Sequence, residues 1–285
     1  MGWTQRNIWA GLAMVAGVMV AQAAVACGGL EDACATASGS FHVVTPATIE
    51  GASEATRPAV IFLHGWQGRA SGTIRNRVLT KPFLDKGYVF AAANGSRSDG
   101  STVGGGWSFR EGGRRNDVAF LADVKAALVA DHGVDPDRVI LAGFSLGGSM
   151  VSYAACAAPE AFAGYAPVAG GFWNPLPEVC DGPVRLFHTH GWSDKTFPLE
   201  GRVVGNGFTQ GDTFAGLNLW RRTNGCDGLR ADKFEIGADR WVRRWERCRP
   251  GSALEFVLHT GGHGLPSGWA ASVMDWVDRM PPLER

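Results

Sequence analysis

The chain has 285 residues, enough for one large α/β domain or two small ones, and 45% of them are apolar, an ordinary share for a filled core. Lysine plus arginine and aspartate plus glutamate balance at 27 each, so no surplus of charge points to nucleic acid or an acidic membrane surface as a partner. Glycine, at 40 residues, is about double its average use and predicts many tight turns and long loops.

Arg6 supplies a positive n-region, Ile8 to Val20 is apolar and uncharged, and Ala24-Val25-Ala26 offers small residues at a cleavage point. Residues 1–26 are therefore expected to be a signal peptide, and 27–285 a single domain that is secreted or periplasmic. The apolar run falls short of the roughly 18 residues a membrane span needs, so no stable membrane insertion is expected. Cleavage after Ala26 would place Cys27 first and opens a lipid-modified alternative, which Ala24 fits poorly. All six cysteines follow the leader, and an even count in an exported chain favours disulfides. Fifteen connectivities are open to six cysteines. Pairing of neighbours is taken as the expectation: Cys27 with Cys34, Cys156 with Cys180, and Cys226 with Cys248. Zinc is the rival, but no C-x-x-C spacing occurs.

In chain order, Ser40 to Thr45 reads as a strand ended by Pro46, and Pro58 to Leu63 as a strand buried on both faces of a parallel sheet. It empties into His64-Gly65-Trp66-Gln67-Gly68. Tyr88 to Ala93 is another buried strand. A long loop follows, residues 94–115, of the length that in compact domains is usually functional or disordered. Asn116 is placed to cap a helix whose Phe120, Val124, Ala127 and Leu128 form one apolar stripe. Asp135-Pro136-Asp137 is expected to turn the chain into the strand Arg138 to Ala142. After the helix that begins near Gly148, Ala166 to Gly170 and Val184 to His190 read as strands. Residues 199–249 are harder to read and are taken as a candidate insertion over the site. Ala253 to His259 is the final strand, and Trp269, Val273, Trp276 and Val277 mark a closing helix. Strands alternate with helices and no repeat or composition break appears. The expected fold class is α/β, a mostly parallel sheet with helices on both faces, its ligands bound beyond the carboxyl ends of the strands.

Gly143-Phe144-Ser145-Leu146-Gly147 lies between such a strand and helix, the context in which G-x-S-x-G holds a serine on a sharp, strained turn at a helix N-terminus. A serine needs a base, and the base an acid to fix its tautomer. Asp194 follows the strand ending in His190-Gly191, and His263 follows the final strand, in the chain order Ser, Asp, His. Asp181 and Asp212 are rival acids that follow no firm strand. The oxyanion of a tetrahedral intermediate would be held by the amides of Leu146 and Trp66, with His64 orienting the latter's loop. Trp66, Trp107 and Trp192 are candidates for lining an acyl pocket. His188 and His190, two apart on a strand, suit a metal but have no third ligand, so no metal is expected. Arg97, Arg110, Arg114 and Arg115 suit an anionic ligand; the preferred reading is that they are solvated.

His64-Gly65, Gly143-Phe144-Ser145-Leu146-Gly147-Gly148, His190-Gly191 with Asp194, and Gly261-Gly262-His263 together resemble the polyhydroxybutyrate depolymerase and feruloyl esterase family of secreted α/β-hydrolases. The Cys27/Cys34 opening, Asp117-Val118, Asp135-Pro136 and Asn224-Gly225-Cys226 extend the resemblance over nearly the whole mature chain. It implies the α/β-hydrolase fold, a Ser145–His263–Asp194 triad and no cofactor. The implied substrates are esters of hydroxyalkanoate polymers or of hydroxycinnamic acids on plant cell-wall sugars. Leu146 where asparagine or glutamine is frequent, Trp192-Ser193 in the acid loop, and Gly264-Leu265-Pro266 are departures that bear on acyl preference. A serine peptidase on the same fold would instead turn over amides. A hydrolase-like binding protein would be marked by a broken triad, and here all three residues stand in order.

Overall fold

The computed structural model describes residues 1–2, 27–47, 56–96, 105–109, 113, 115–205 and 207–281. The expected leader, apart from its first two residues, and Arg97, Arg110 and Arg114 of the long loop lie outside the described residues. Two short strands open the chain, β1 (Cys34–Ala35) and β2 (Ser40–Val44), pairing antiparallel. The apolar run at 58–63 becomes β3 (Arg57–Leu63). Two helices unmarked in the sequence pattern follow, α1 (Ala70–Arg75) and α2 (Arg77–Asp85), the second capped by the Asn76 side chain on the Leu79 amide. β4 (Val89–Ala93) and α3 (Asp117–Asp131) come next, with Asn116 capping α3 through the Ala119 amide as expected.

β5 (Val134–Phe144) corrects one expectation. Asp135-Pro136-Asp137 does not precede the strand but bulges within it: Val134 already pairs with Arg57, and pairing resumes at Ala59 and Val139. The Asp137 amide donates to Asp135 Oδ1 at 2.9 Å, an Asx turn that closes the bulge locally. α4 (Leu146–Ala157) and β6 (Gly164–Val168) follow, β6 starting two residues before the expected Ala166. β7 (Arg185–Gly191) leads to the 199–249 region. A small hairpin forms there from β8 (Val203–Val204) and β9 (Phe208–Thr209), ahead of α5 (Thr213–Thr223), β10 (Lys233–Ile236) and β11 (Arg240–Trp245). β12 (Ala253–His259) and α6 (Trp269–Asp278) close the fold. Most of 199–249 is therefore not an insertion over the site, because β10 and β11 continue the main sheet antiparallel beyond β12.

The main sheet has ten strands in the order β1-β2-β4-β3-β5-β6-β7-β12-β11-β10. From β4 through β12 neighbours run parallel; the two strands at each edge pair antiparallel. Alternation along β3 sends Val60 and Phe62 to one face and Ile61 and Leu63 to the other. The first pair packs with Ile74, Phe83, Val273 and Trp276 of α1, α2 and α6, the second with Phe120, Val124, Val151 and Trp220 of α3, α4 and α5. Each such side chain taken from water contributes about 1.5–3 kcal/mol, so two cores fix the sheet between two helical layers. Disulfides join Cys27 to Cys34, Cys156 to Cys180 and Cys226 to Cys248. All parallel strands point their carboxyl ends to one side, where Ser145, Gly191 and His259 lie.

Candidate active site

The turn from β5 into α4 places Ser145 at φ 57°, ψ −120°, a region costly for a side-chain-bearing residue and kept only where the surroundings over-determine it. They do. The Ser145 amide donates to Val168 O at 2.8 Å, and a Cβ on Gly147 would fall 2.2 Å from Leu63 O. Only glycine lets α4 start so close to the end of β3.

His263 Nε2 lies 2.9 Å from Ser145 Oγ, and its Nδ1 lies 2.8 Å from Asp194 Oδ2. Asp194 Oδ1 accepts the amides of Thr196 and Phe197, each at 2.8 Å. Burial alone would raise the Asp194 carboxyl, but the bonds from His263 and the two amides outweigh it and hold it below the usual carboxylate range. The acid and base loops extend the β7–β12 pairing past its end: Trp192 N–H donates to His259 O at 2.7 Å and Ser193 N–H to Gly261 O at 3.1 Å. A Cβ on Gly191 would sit 2.1 Å from Gly262 O, so this closure too requires glycine. The Phe144 ring packs against the His263 imidazole at 4.8 Å between centroids. Of the rival acids, Asp212 caps α5 through the Ala215 amide, and Asp181 is exposed beside Cys180.

The loop after β3 runs against Ser145 on the other side, where a Cβ on Gly65 would be 3.3 Å from Ser145 Cβ. Gly65 O accepts from the Gly68 amide at 3.0 Å and from His64 Nδ1 at 2.8 Å. His64 Nε2 accepts the Gly95 amide at 3.0 Å, and His64 O accepts from Trp107 Nε1 at 2.9 Å. Burial lowers the pKa of His64, partly opposed by its bond to Gly65. The imidazole is thus a neutral brace between two loops. Trp107 is buried, its indole N–H committed to that brace, which corrects its expected place lining an acyl pocket. Trp66 and Trp192, on the loops after β3 and β7, are 65% and 61% exposed.

Arg115 is also corrected. It is not solvated but bonds buried Asp117 at 2.5 Å and donates to Asn94 O at 3.0 Å, tying α3 to the residue before Gly95. His188 and His190 meet each other rather than a metal. His190 Nε2 donates to Phe197 O at 2.8 Å, so its Nδ1 must accept from His188 Nε2 at 3.1 Å. Burial lowers the pKa of both, His188 well below the usual imidazole value, while in His190 the bond to Phe197 O and the nearby Asp194 charge partly oppose it. His190 Nε2 is also 3.6 Å from Asp194 Oδ2, a neighbour the sequence pattern did not reveal, since it is the turn after β7 that folds Asp194 back toward the strand. The one other His/Cys cluster among the described residues, Cys27, Cys34 and His132, has its sulfurs bonded to each other. A cavity of about 350 Å³ between Phe109, Arg115, Met150 and Tyr153 lies behind α4 and is lined by none of Ser145, Asp194 and His263. Trp173, whose Nε1 donates to Ser149 Oγ at 3.1 Å, was likewise missed; its place just beyond a strand-end Gly-Gly was the available signal.

The sequence profile of the prolyl oligopeptidase family matches residues 77–176, the segment that carries the Ser145 elbow. The chain is 28% identical over 189 residues to probable feruloyl esterase C of Aspergillus niger, and 30% identical over 190 residues to feruloyl esterase C of Emericella nidulans. In both cases 65% of this chain is matched, and it spans 60% of the relative's length. Among solved structures, acetyl xylan esterase from Aspergillus awamori superposes with a TM-score of 0.64 at 16% identity, covering 84% of this chain and 93% of that one. That likeness shows the fold: the chain is an α/β-hydrolase, similar in sequence to feruloyl esterases over part of their length.

Proposed function

We propose that this chain is a serine esterase that hydrolyses carboxylic esters, feruloyl-type esters first among them, through an acyl-enzyme. The observation that carries the reading is the unbroken chain of hydrogen bonds from Ser145 through His263 to Asp194, at 2.9 and 2.8 Å. His263 Nε2 takes the proton of Ser145 as Oγ attacks the ester carbonyl, and Asp194 holds Nδ1–H and stabilises the imidazolium. The oxyanion is held by the amides of Leu146, first in α4, and Trp66. Support for Trp66 comes from the Gly65–Trp66 peptide: its carbonyl is pinned back by His64 and Gly68, and in a trans peptide the N–H points the opposite way. His263 then protonates the departing alcohol, and water activated by the same imidazole releases the acid. Trp66 and Trp192 flank the acyl group. Three disulfides favour an oxidising, extracytoplasmic setting.

The names of the sequence relatives favour an aromatic acyl group on a sugar alcohol; hydroxyalkanoate esters are the second acyl class. A peptidase is the alternative favoured by the profile match at 77–176. Treatment with an organophosphorus ester should label Ser145 and abolish p-nitrophenyl ester cleavage, and Ser145→Ala should lower kcat by at least about 10⁴-fold. Retention of esterase activity by Ser145→Ala would refute the assignment, and faster turnover of anilides than of matched esters would select the peptidase.

A further inference from the structure

His259, the last residue of β12, is buried and bonds to both loops that bring Asp194 and His263 together. Its carbonyl accepts the Trp192 amide at 2.7 Å, on the loop that carries Asp194. Its Nδ1 accepts the Gly261 amide at 3.1 Å, on the loop that carries His263. The Ser193 amide donates to Gly261 O at 3.1 Å and closes a circuit of three hydrogen bonds between the two loops. Among the described residues, no other side chain bonds to the backbone of residues 260–264. A Cβ on Gly261 would lie 2.9 Å from His259 Nδ1 and 3.0 Å from its Cε1, so glycine is what lets this amide reach the edge of the imidazole.

Stability alone does not account for an imidazole at this position. Accepting at Nδ1 leaves the proton of the neutral ring on Nε2, and Nε2 is buried without a hydrogen-bond partner. Burial lowers the pKa of the ring, partly opposed by the Gly264 carbonyl and by the charges of Asp194 and Asp239. A phenyl ring would fill the same space with no orphaned donor. What phenyl cannot supply is the acceptor for Gly261. That acceptor matters because Gly261, Gly262 and Gly264 surround His263, and glycine gives a loop more backbone freedom than any other residue. The His263 ring has to keep two bonds at once, 2.9 Å to Ser145 Oγ and 2.8 Å to Asp194 Oδ2. A displacement of about 1 Å at such a site lowers the rate by about 10²-fold.

We propose that His259 is a positioning residue, whose Nδ1 clamps the Gly261 amide and so holds the His263 imidazole between Ser145 and Asp194. The kinetic consequence rests on the esterase reading; the clamp itself does not. Three variants of the full chain test it. His259→Phe keeps the bulk and loses the acceptor. His259→Asn sets an amide oxygen where Nδ1 stood, in the geometry of an Asx turn onto the amide two residues on. His259→Gln carries its oxygen past that point, toward the place of Nε2. For a p-nitrophenyl ester, kcat should fall about 30-fold in His259→Phe and His259→Gln with KM nearly unchanged, and stay within about 3-fold of the parent in His259→Asn. The low-field proton resonance of the His263 Nδ1–H bonded to Asp194 should stay sharp in the parent and His259→Asn, and broaden in the other two. A residue that only fills space would make His259→Phe the most active of the three, and that order, or equal kcat in all, would overturn the clamp. If His259→Phe does not fold, the contrast between the two amide variants still decides. A parent that cleaves no ester, yet loses the resonance in His259→Gln and keeps it in His259→Asn, would sink the esterase reading and leave the clamp standing.

Discussion

Ser145 is held between two loops that are built in opposite ways. On one side His64 to Gly68 is braced by a network that ends in charge: His64 to Gly95, its neighbour Asn94 to Arg115, and Arg115 to buried Asp117. On the other side the turn around Asp194 rests on two neutral imidazoles, with His190 on Phe197 O and His188 on His190. On the proposed esterase reading the first loop presents a backbone N–H and holds no charge of its own, so a distant ion pair can anchor it. The second carries the permanent negative charge of the site. A cation packed beneath it would compete with His263 for the carboxylate, and a neutral pair does not.

The largest effect separating the two sides belongs to the acid. Asp194→Asn keeps the shape but lets the side-chain amide face His263 Nδ1 as a donor, favouring the wrong tautomer. kcat for a p-nitrophenyl ester should fall about 10⁴-fold, about 5.5 kcal/mol of barrier. A loss under 10-fold would show that the carboxylate does not orient the base.

Acid should act next, and on stability. The pKa values of His64, His188 and His190 are lowered in the fold, chiefly by burial. The unfolded chain, near 6.5, then binds more protons than the folded one as pH drops below that value. Stability from these groups is complete above about pH 6.5 and is lost as pH falls toward the folded values, at most about 1.4 kcal/mol per pH unit for each histidine. Urea midpoints at pH 7.5 and 5.5 should differ accordingly, and His188→Phe with His190→Phe should flatten the slope. An unchanged slope in that double variant would show that the pair titrates normally in the fold.

His64→Ala probes the other loop. It frees the Gly65 carbonyl from one of its two donors and lets the Trp66 N–H swing. kcat should fall about 10²-fold, near 3 kcal/mol, with KM changed little, because the oxyanion forms only on the way to the intermediate. A rise in KM at constant kcat would assign His64 to substrate binding instead.

The meeting of Ser145, His263 and Asp194 was legible because each lies just after a strand whose apolar run is buried on both faces, and the parallel register then aligns the strand ends; Gly191 and His259 are register partners. Helices α1 and α2 were not legible. Their buried positions are few, Ala70, Ile74, Leu79, Thr80 and Phe83, and Pro82 reads as a breaker although the helix runs through it, with Val78, four residues before it, exposed. β10 and β11 were hidden for a different reason. At a sheet edge arginines replace half of the apolar alternation, as in Arg240-Trp241-Val242-Arg243-Arg244-Trp245, and the pattern no longer looks like a strand. The roles of Trp107 and Arg115 depend on long-range contacts that no local pattern encodes, and that of His190 on the shape of the turn after β7.

The smallest effect is the most discriminating for the acid side. His190→Phe removes the donor to Phe197 O and leaves His188 Nε2–H facing a ring edge, so two buried polar groups lose partners at once. Such orphaning costs about 1–3 kcal/mol, and kcat should fall roughly 10-fold as Asp194 loosens. His188→Phe alone orphans only the His190 Nδ1 lone pair and leaves the bond to Phe197 in place. If the two imidazoles act as one unit, the double variant costs about 1 kcal/mol less than the sum of the singles, since the orphan that each single variant leaves on the other ring is then gone. Chemical denaturation of the four proteins measures that coupling. Strict additivity would mean that His190 supports the acid loop alone, with His188 only filling space behind it.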